Sequence, residues 1–414
     1  MGSPVPAPDL IDLGRFCLGL VLIGGLRVLA QMARRPGAEF WAPLMAPRLH
    51  YGLAGVLSGY TFLPQLAPAF AALLAIVLVF CGTWVGVAAG CSFDLRREYQ
   101  HRFLGLLLEG GQAGLAMAAV LLAAFLVNHF PAAGSIYLSG AALEVVCGIC
   151  MVGISAAGAE QQANRPPLAA LCGALLAALG ISQLHGSPFP LLSSPLVPRG
   201  LIVDAQLGKL LFGSILGCGI GVLADLATRD EHPLAVRCYL VAGVVLLGGG
   251  IAAALGLEPL WVGLLAGAWL INATLRRLDI LETISQSYSF AQSGLLFGGG
   301  WFLGEALLAG GTNLGVFAWA ALLVLVLRLA ARLSSRLEVR YVPAERPHRG
   351  HRPVPAGALD LDDVGLALAA SLLRILPSEA GIALMGAVAA GQLCLRLIGW
   401  WSRRWRPPAP APLL

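Results

Sequence analysis

Charged side chains are scarce in this sequence. Lys, Arg, Asp and Glu make up 12% of the 414 residues, whereas soluble domains carry about 25%. Acids are the scarcer sign, with 22 acidic against 27 basic residues, and none occurs between Glu160 and Asp204. Because 58% of the residues are hydrophobic, we expect an all-α integral membrane protein without a soluble catalytic domain.

The motifs of common enzymes are also absent. The sequence has no P-loop, zinc signature or nucleophile elbow, so we expect no enzyme activity, metal, cofactor or nucleic-acid partner. The nine cysteines lie mostly in apolar runs, and we interpret them as small packing residues. The N-terminus lacks a basic leader and a small-residue cleavage site, so we expect the first apolar segment to be retained as a helix.

Apolar runs separated by polar or Pro/Gly breaks predict about thirteen transmembrane helices. Their approximate ranges are 11–32, 45–63, 68–91, 103–128, 134–158, 166–186, 203–226, 235–255, 258–274, 287–308, 313–333, 361–376 and 379–400.

Arginine follows every odd-numbered span, whereas the even-numbered connections, such as GLEP at 256–259, have almost no positive charge. The positive-inside rule therefore predicts a multi-pass protein of the plasma (inner) membrane with the N-terminus outside and the C-terminus in the cytoplasm. Residues 334–360 form a predicted cytoplasmic linker rich in Pro and Arg, and 401–414 a cytoplasmic tail. Lys209, near a span end, is expected to reach the aqueous interface.

The 52 glycines suggest helices that pack closely, as small residues allow in membranes. Gly213, Gly217 and Gly221 lie at a spacing of four residues and form one face of a predicted helix. We expect a tight helix contact there, with a dimer interface as one location.

Several stretches resemble the membrane domain of the cation:proton antiporter superfamily, which includes sodium/proton exchangers and potassium efflux systems. VLVFCGTWVGVAAGCSFDLRREYQHRF is similar to the third helix of that family, and GLEPLWVGLLAGAWLINATLRRLDILETI to its ninth. LLVLVLRLAARL is similar to the eleventh helix and LLRILPSEAGIAL to the twelfth region. The resemblance covers most of residues 15–400 as a single membrane domain within 1–414.

This resemblance implies inverted repeats with two broken helices that cross near the membrane midplane. It further implies a homodimer, with spans 1–3 and 8–10 as the dimerisation part and spans 4–6 and 11–13 as the core part. Family members exchange a monovalent cation for protons at an aspartate in the sixth span. Here the sixth span is 166–186, and its centre holds Leu175 and Leu176 instead of an acid.

Charges inside other spans offer substitutes. Glu144 lies near the centre of the fifth span, where a carboxyl must bind a cation or take up a proton; a neutral, hydrogen-bonded structural carboxyl is the alternative. Arg328 is fixed in its charged state and could serve as the partner of Glu144, either beside an ion site or in a static pair. Ser155 is a hydroxyl group available to a different solute.

Further candidates lie nearer the span ends. Glu109 and Gln112 share a helix face and either line an ion pathway or reach water. Glu379 follows a proline kink, and Arg374, one turn earlier, could supply a cation beside it.

Three functions remain open. The chain exchanges sodium or potassium for protons with Glu144 as carrier, or it moves a different solute, or it is a non-transporting scaffold or regulatory subunit that binds partner membrane proteins. Membrane lipid surrounds it in each case.

Overall fold

The computed structural model describes residues 21, 49–61, 67–91, 93, 174–175, 177–178, 205–308 and 367–368. Within these ranges all regular structure is α-helical and there is no strand. The six long helices among them are α1 (Leu49–Thr61), α2 (Ala67–Gly90), α3 (Ala205–Ala227), α4 (Leu234–Ala254), α5 (Pro259–Ala273) and α6 (Arg277–Leu308).

Three of these helices are long and apolar enough to cross a membrane. The qualifying segments are Leu73–Gly90 in α2, Gly208–Ala227 in α3 and Leu234–Ala254 in α4. Helix α5 is equally apolar but has only 15 residues, fewer than the roughly 20 that a full crossing needs. The described part of the chain therefore has the character of a membrane protein.

The helices coincide with six of the predicted spans, and all but α6 begin and end within four residues of the prediction. The cysteines at 81 and 91 are free and buried, as expected of small packing residues. The thirteen-span count, the outside N-terminus, the linker 334–360 and the division into two parts depend on spans outside the described residues. They stay predictions.

Helix α6 begins ten residues before the predicted start at 287, and this part of the prediction was wrong. The polar stretch after Arg277 continues as an amphipathic helix because Ile280, Ile284 and Tyr288 recur one turn apart and are all buried. Thr283 adds a hydrogen bond from its hydroxyl to the Asp279 carbonyl, 2.8 Å away. With 32 residues, α6 is about 48 Å long and exceeds the hydrocarbon thickness of a bilayer.

Helices α2 and α5 approach each other backbone to backbone. A Cβ atom placed on Gly86 would overlap the carbonyl oxygen of Leu260, and Gly90 repeats this contact one turn further on. In return, a Cβ atom on Gly263 would overlap the carbonyl oxygen of Thr83. Only glycine fits at such positions, so the glycines at spacing four fix this pair of helices.

Helices α1 and α6 meet in the same way. A Cβ atom on Gly300 would overlap the carbonyl oxygen of Gly52, and Gly304 repeats the contact one turn on. A Cβ atom on Gly55 would overlap the carbonyl oxygen of Phe297. The two pairs have the same register. In each pair, the second glycine lies three residues after the carbonyl of the first contact, and the carbonyl that it meets lies three residues before the first glycine.

The two pairs run in opposite directions. Within each pair the contacts advance along both helices together, so α2 and α5 are parallel, as are α1 and α6. Between the pairs the order reverses: Gly294 packs on Cys81, whereas Gly298, further along α6, packs on the earlier Leu78. The antiparallel contact of α2 with α6 thus joins two equivalent helix pairs of opposite orientation.

The glycine face of α3 packs on α5 within the same chain. A Cβ atom on Gly217 would come within 2.7 Å of the Val262 carbonyl oxygen, and one on Gly221 within 2.8 Å of the Cβ of Trp269. The expected tight helix contact is therefore present, and its partner is α5 of this chain rather than a second copy.

We predict opposite effects for alanine at two neighbouring glycines of α2. Gly82 is buried, yet a Cβ atom there meets nothing within 4 Å, so Gly82→Ala should leave stability unchanged or raise it by up to about 1 kcal/mol. Gly86→Ala should lower it by about 1–3 kcal/mol, because the two backbones must separate. Thermal unfolding of both variants in one detergent measures the difference.

Gly300→Ala, at the equivalent position of the second pair, should match Gly86→Ala. Equal melting temperatures for the Gly82 and Gly86 variants would contradict the close approach of α2 and α5.

Candidate functional site

The residues predicted to form the ion pathway lie outside the part of the chain that the structure describes. They are Glu109, Gln112, Glu144, Ser155, Arg328, Arg374 and Glu379. Their roles stay predictions, and a candidate site has to be built from other residues.

The centre of the predicted sixth span is described at four positions. Ala174, Leu175, Ala177 and Ala178 are helical, and the three alanines are almost fully buried. They belong to the hydrophobic cluster that also contains Leu368. The described positions of this span therefore pack as part of an apolar helix.

Two ionisable side chains are buried where α3 meets the start of α5. Lys209 is 5% exposed, although most of α3 faces outward. It precedes Gly213 by one turn and therefore continues the glycine face that packs on α5. The expectation that Lys209 reaches the aqueous interface was wrong, because the residue is buried within the protein.

Glu258 is the second buried charge, with 5% exposure. It ends the turn between α4 and α5, which closes with Gly256 in the left-handed region (φ 67°) and a hydrogen bond from the Leu257 N–H to the Ala252 carbonyl, 2.8 Å. Glu258 is the N-cap of α5, where its carboxylate accepts from the Leu260 N–H at 3.4 Å, and proline follows at the first helical position. We call Lys209, Ser214, Glu258 and Trp261 the α3–α5 junction.

The two charges lie at the same level. Gly213 of α3 contacts the Trp261 side chain at 3.5 Å, and the helices are parallel. Lys209 lies four residues before Gly213 and Glu258 three residues before Trp261, so both lie about 5 Å below that contact. Opposite charges at one level between packed helices attract each other even where they form no direct ion pair.

This level is close to the middle of the neighbouring span. Leu260, two residues after Glu258, meets α2 at Gly86, about one turn beyond the midpoint of Leu73–Gly90. Glu258 is therefore about 4 Å from that midpoint along α2. In a hydrocarbon layer about 30 Å thick, that position is nearer to the middle than to either surface.

Trp261 and Ser214 complete the junction. The indole Nε1–H donates to the Ser214 hydroxyl at 3.2 Å, and that hydroxyl donates to the Leu210 carbonyl at 2.8 Å. These bonds fix α5 against α3 one turn from the two charges. The junction thus buries a carboxylate and an ammonium group between packed helices. In the described ranges no three His, Cys, Asp or Glu side chains come together in a metal-binding group.

A second charged group lies at the opposite end of α5. Arg237, near the start of α4, pairs with Asp279 in the first turn of α6 at 3.0 Å, with side-chain exposures of 14% and 46%. Arg276 pairs with Glu231 at 3.0 Å, and the Glu231 side chain is 88% exposed. The Arg237–Asp279 pair joins the first turn of α6 to α4, whereas the Arg276–Glu231 pair is an exposed surface contact.

Sequence reasoning missed Glu258 because GLEP resembles a short polar loop outside the membrane. The loop is in fact buried from Gly256 to Pro259. The sequence contained one signal for a buried charge. Lys209 lies four residues before Gly213, which itself lies four before Gly217, so Lys209 is on the glycine face of α3 that packs on another helix.

We predict that Lys209 and Glu258 are energetically coupled. Lys209→Met and Glu258→Gln should each lower the free energy of unfolding by on the order of 3 kcal/mol, because each removes a buried charge whose interacting groups stay buried. The double variant should lose clearly less than the sum. A double-mutant cycle measured by unfolding in mixed micelles tests this, and strictly additive losses would contradict the coupling.

The ion pairs at the other end should differ in strength. Asp279→Asn should lower stability by about 1 kcal/mol, since it leaves the mostly buried Arg237 without its carboxylate. Glu231→Gln should change it by only a few tenths of a kcal/mol, because water screens this pair. Thermal unfolding at low and high salt distinguishes them; a larger loss for Glu231→Gln would contradict the assignment.

Neither the protein-family models nor the curated proteins give a relative of this chain. The resemblance to cation:proton antiporters therefore rests on the sequence stretches alone.

Proposed function

We propose that this protein is a membrane transporter of antiporter type that exchanges sodium or potassium for protons by alternating access. It is a multi-pass protein of the plasma membrane and forms a homodimer. The glycine face of α3 is occupied by α5, so the dimer contact uses other surfaces.

One observation carries this proposal: the two glycine-packed helix pairs have the same register and opposite directions. Such matched pairs are expected of inverted repeats, in which the two halves of a transporter cross the membrane in opposite senses. Secondary transporters place their ion sites near the interface of the repeats, close to the bilayer midplane. The short helix α5 begins at about that level on α2.

The exposed apolar surface of α3 and α4 and the two buried charges give this proposal further support. Helices α3 and α4 expose large apolar side chains, among them Ile215 and Leu247, which suit contact with lipid. Lys209 and Glu258 are buried between helices instead of facing this apolar surface. Intramembrane charges of that kind are costly and typically mark ion pathways.

The alternative is a non-transporting scaffold or regulatory subunit of a membrane complex. Its support is the apolar packing of Ala174, Ala177 and Ala178 at the centre of the predicted sixth span. A chain without the family's carrier acid would keep the helical body and lose the exchange.

Transport by purified protein decides between the two. We expect reconstituted vesicles loaded with a pH-sensitive dye to show proton flux when sodium or potassium is added on one side. Glu144→Gln should abolish this flux if Glu144 is the carrier. Glu231→Gln, which changes an exposed acid, is the matched control and should leave the flux unchanged.

Absence of cation-dependent proton flux in the wild type, under gradients of either cation, would contradict the transporter. Capture of partner membrane proteins by the full chain would then be the measurement that supports the scaffold.

A further inference from the structure

Trp84 holds a buried hydrogen-bond donor near the middle of α2. The residue is 1% exposed, and its indole Nε1–H has no acceptor among the residues that the structure describes. It lies about 4 Å beyond the midpoint of the apolar segment Leu73–Gly90, far from either surface of a hydrocarbon layer about 30 Å thick. A buried donor without an acceptor destabilises a fold, and phenylalanine would fill much of the same space without this cost. The indole therefore calls for a role beyond packing.

Trp84 lies on the side of α2 that is turned away from α5. Gly86, which makes the backbone contact with Leu260 of α5, is two residues further on and therefore roughly 160° around the helix from Trp84. Phe80 and Ala88, one turn before and one turn after Trp84, continue the same side. The ring centroids of Phe80 and Trp84 are 5.6 Å apart, and Ala88 is fully buried. We call Phe80, Trp84 and Ala88 the Trp84 side of α2, and the indole N–H is its one polar side-chain group.

The indole restricts which ligand this side can bind. An indole N–H donates a hydrogen bond and accepts none, so its ligand is an oxygen atom rather than a bare cation. Trp84 belongs to a cluster of buried apolar side chains that includes Ala177 and Leu368. Such side chains offer an anion no counter-charge, so its burial among them would be costly. The ligand that fits is a neutral oxygen acceptor, and water is the one that enters the membrane interior together with an ion.

We propose that the Trp84 side of α2 lines the ion pathway and that the indole N–H donates to water inside it. This inference rests on the proposed exchange function and names one wall of its pathway. In alternating access, each part of a pathway is closed in one state and reached by water in another. The buried indole belongs to the closed state, and its N–H gains an acceptor when the wall opens. Because Gly86 fixes the opposite side of α2 on α5, the opening takes place on the Trp84 side.

Hydrogen exchange of the indole groups tests this wall directly. The full chain with isotope-labelled tryptophan is placed in lipid nanodiscs and transferred to heavy water, and NMR follows each indole N–H. Trp84→Phe identifies the Trp84 signal. The matched control is Trp261, which is also buried but donates to the Ser214 hydroxyl at 3.2 Å. We expect the Trp84 N–H to exchange at least about tenfold faster than the Trp261 N–H, because water reaches it whenever the pathway opens.

Phenylalanine at the two positions should separate a pathway role from a packing role. Trp84→Phe removes a donor that has no acceptor in the described structure, so the melting temperature should stay the same or rise. Its cation-dependent proton flux should fall about three- to tenfold, the loss expected for one hydrogen bond. Trp261→Phe removes a bonded donor and should lower the melting temperature. If Trp84→Phe does not fold, Phe80→Leu identifies the Trp84 signal instead, because loss of the neighbouring ring shifts that signal.

Two results would overturn the inference. One is a Trp84 N–H that exchanges no faster than the Trp261 N–H, and the other is an active wild type whose flux Trp84→Phe leaves unchanged. The proposed function fails separately, since an inactive wild type refutes the exchanger, while the indole exchange still decides whether water reaches Trp84.

Discussion

The close approach of helix backbones through glycine is the contact on which the described structure depends. In a membrane, lipid tails are as apolar as leucine side chains, so helices gain little from burying apolar surface against each other. They associate where small residues allow extensive van der Waals contact. Gly86 with Gly263, and Gly300 with Gly55, create such contacts, and the rest of the bundle is arranged around these two pairs.

The position of α5 follows from this packing. Its 15 residues are too few to cross a bilayer, and the glycine register aligns its start with the middle of α2. The turn before it is consequently buried, and Glu258 is buried with it. Since α3 packs on the same helix through glycines at spacing four, Lys209 arrives at the same level. Two charges are thus buried as a result of helix contacts that are themselves apolar.

Helix α6 shows a different balance of interactions. Its second half packs by glycine on α1, whereas its first turns are held by buried isoleucines and the ion pair from Arg237 to Asp279. A polar segment becomes helical there because Asp279 pairs with Arg237 and the hydroxyls of the segment donate to backbone carbonyls of the preceding turn, as the Thr283 hydroxyl does to the Asp279 carbonyl. Hydropathy alone placed the start of this helix at 287, because the amphipathic segment has too few apolar residues to register as a span.

The sequence by itself determined the membrane character, the helical class, the positions of five described helices and the presence of a tight glycine face on α3. These properties are local, since an apolar run, a Pro-initiated helix such as α5 and a glycine spacing are each set by neighbouring residues. Only the tertiary structure decided that α5 is the partner of that face and that two helix pairs repeat in opposite directions. It also decided that Lys209 and Glu258 are both buried. The reason is physical: burial of a charge depends on which helix covers it, and Lys209 and Glu258 are 49 residues apart in the chain, a separation over which hydrophobic periodicity carries no information.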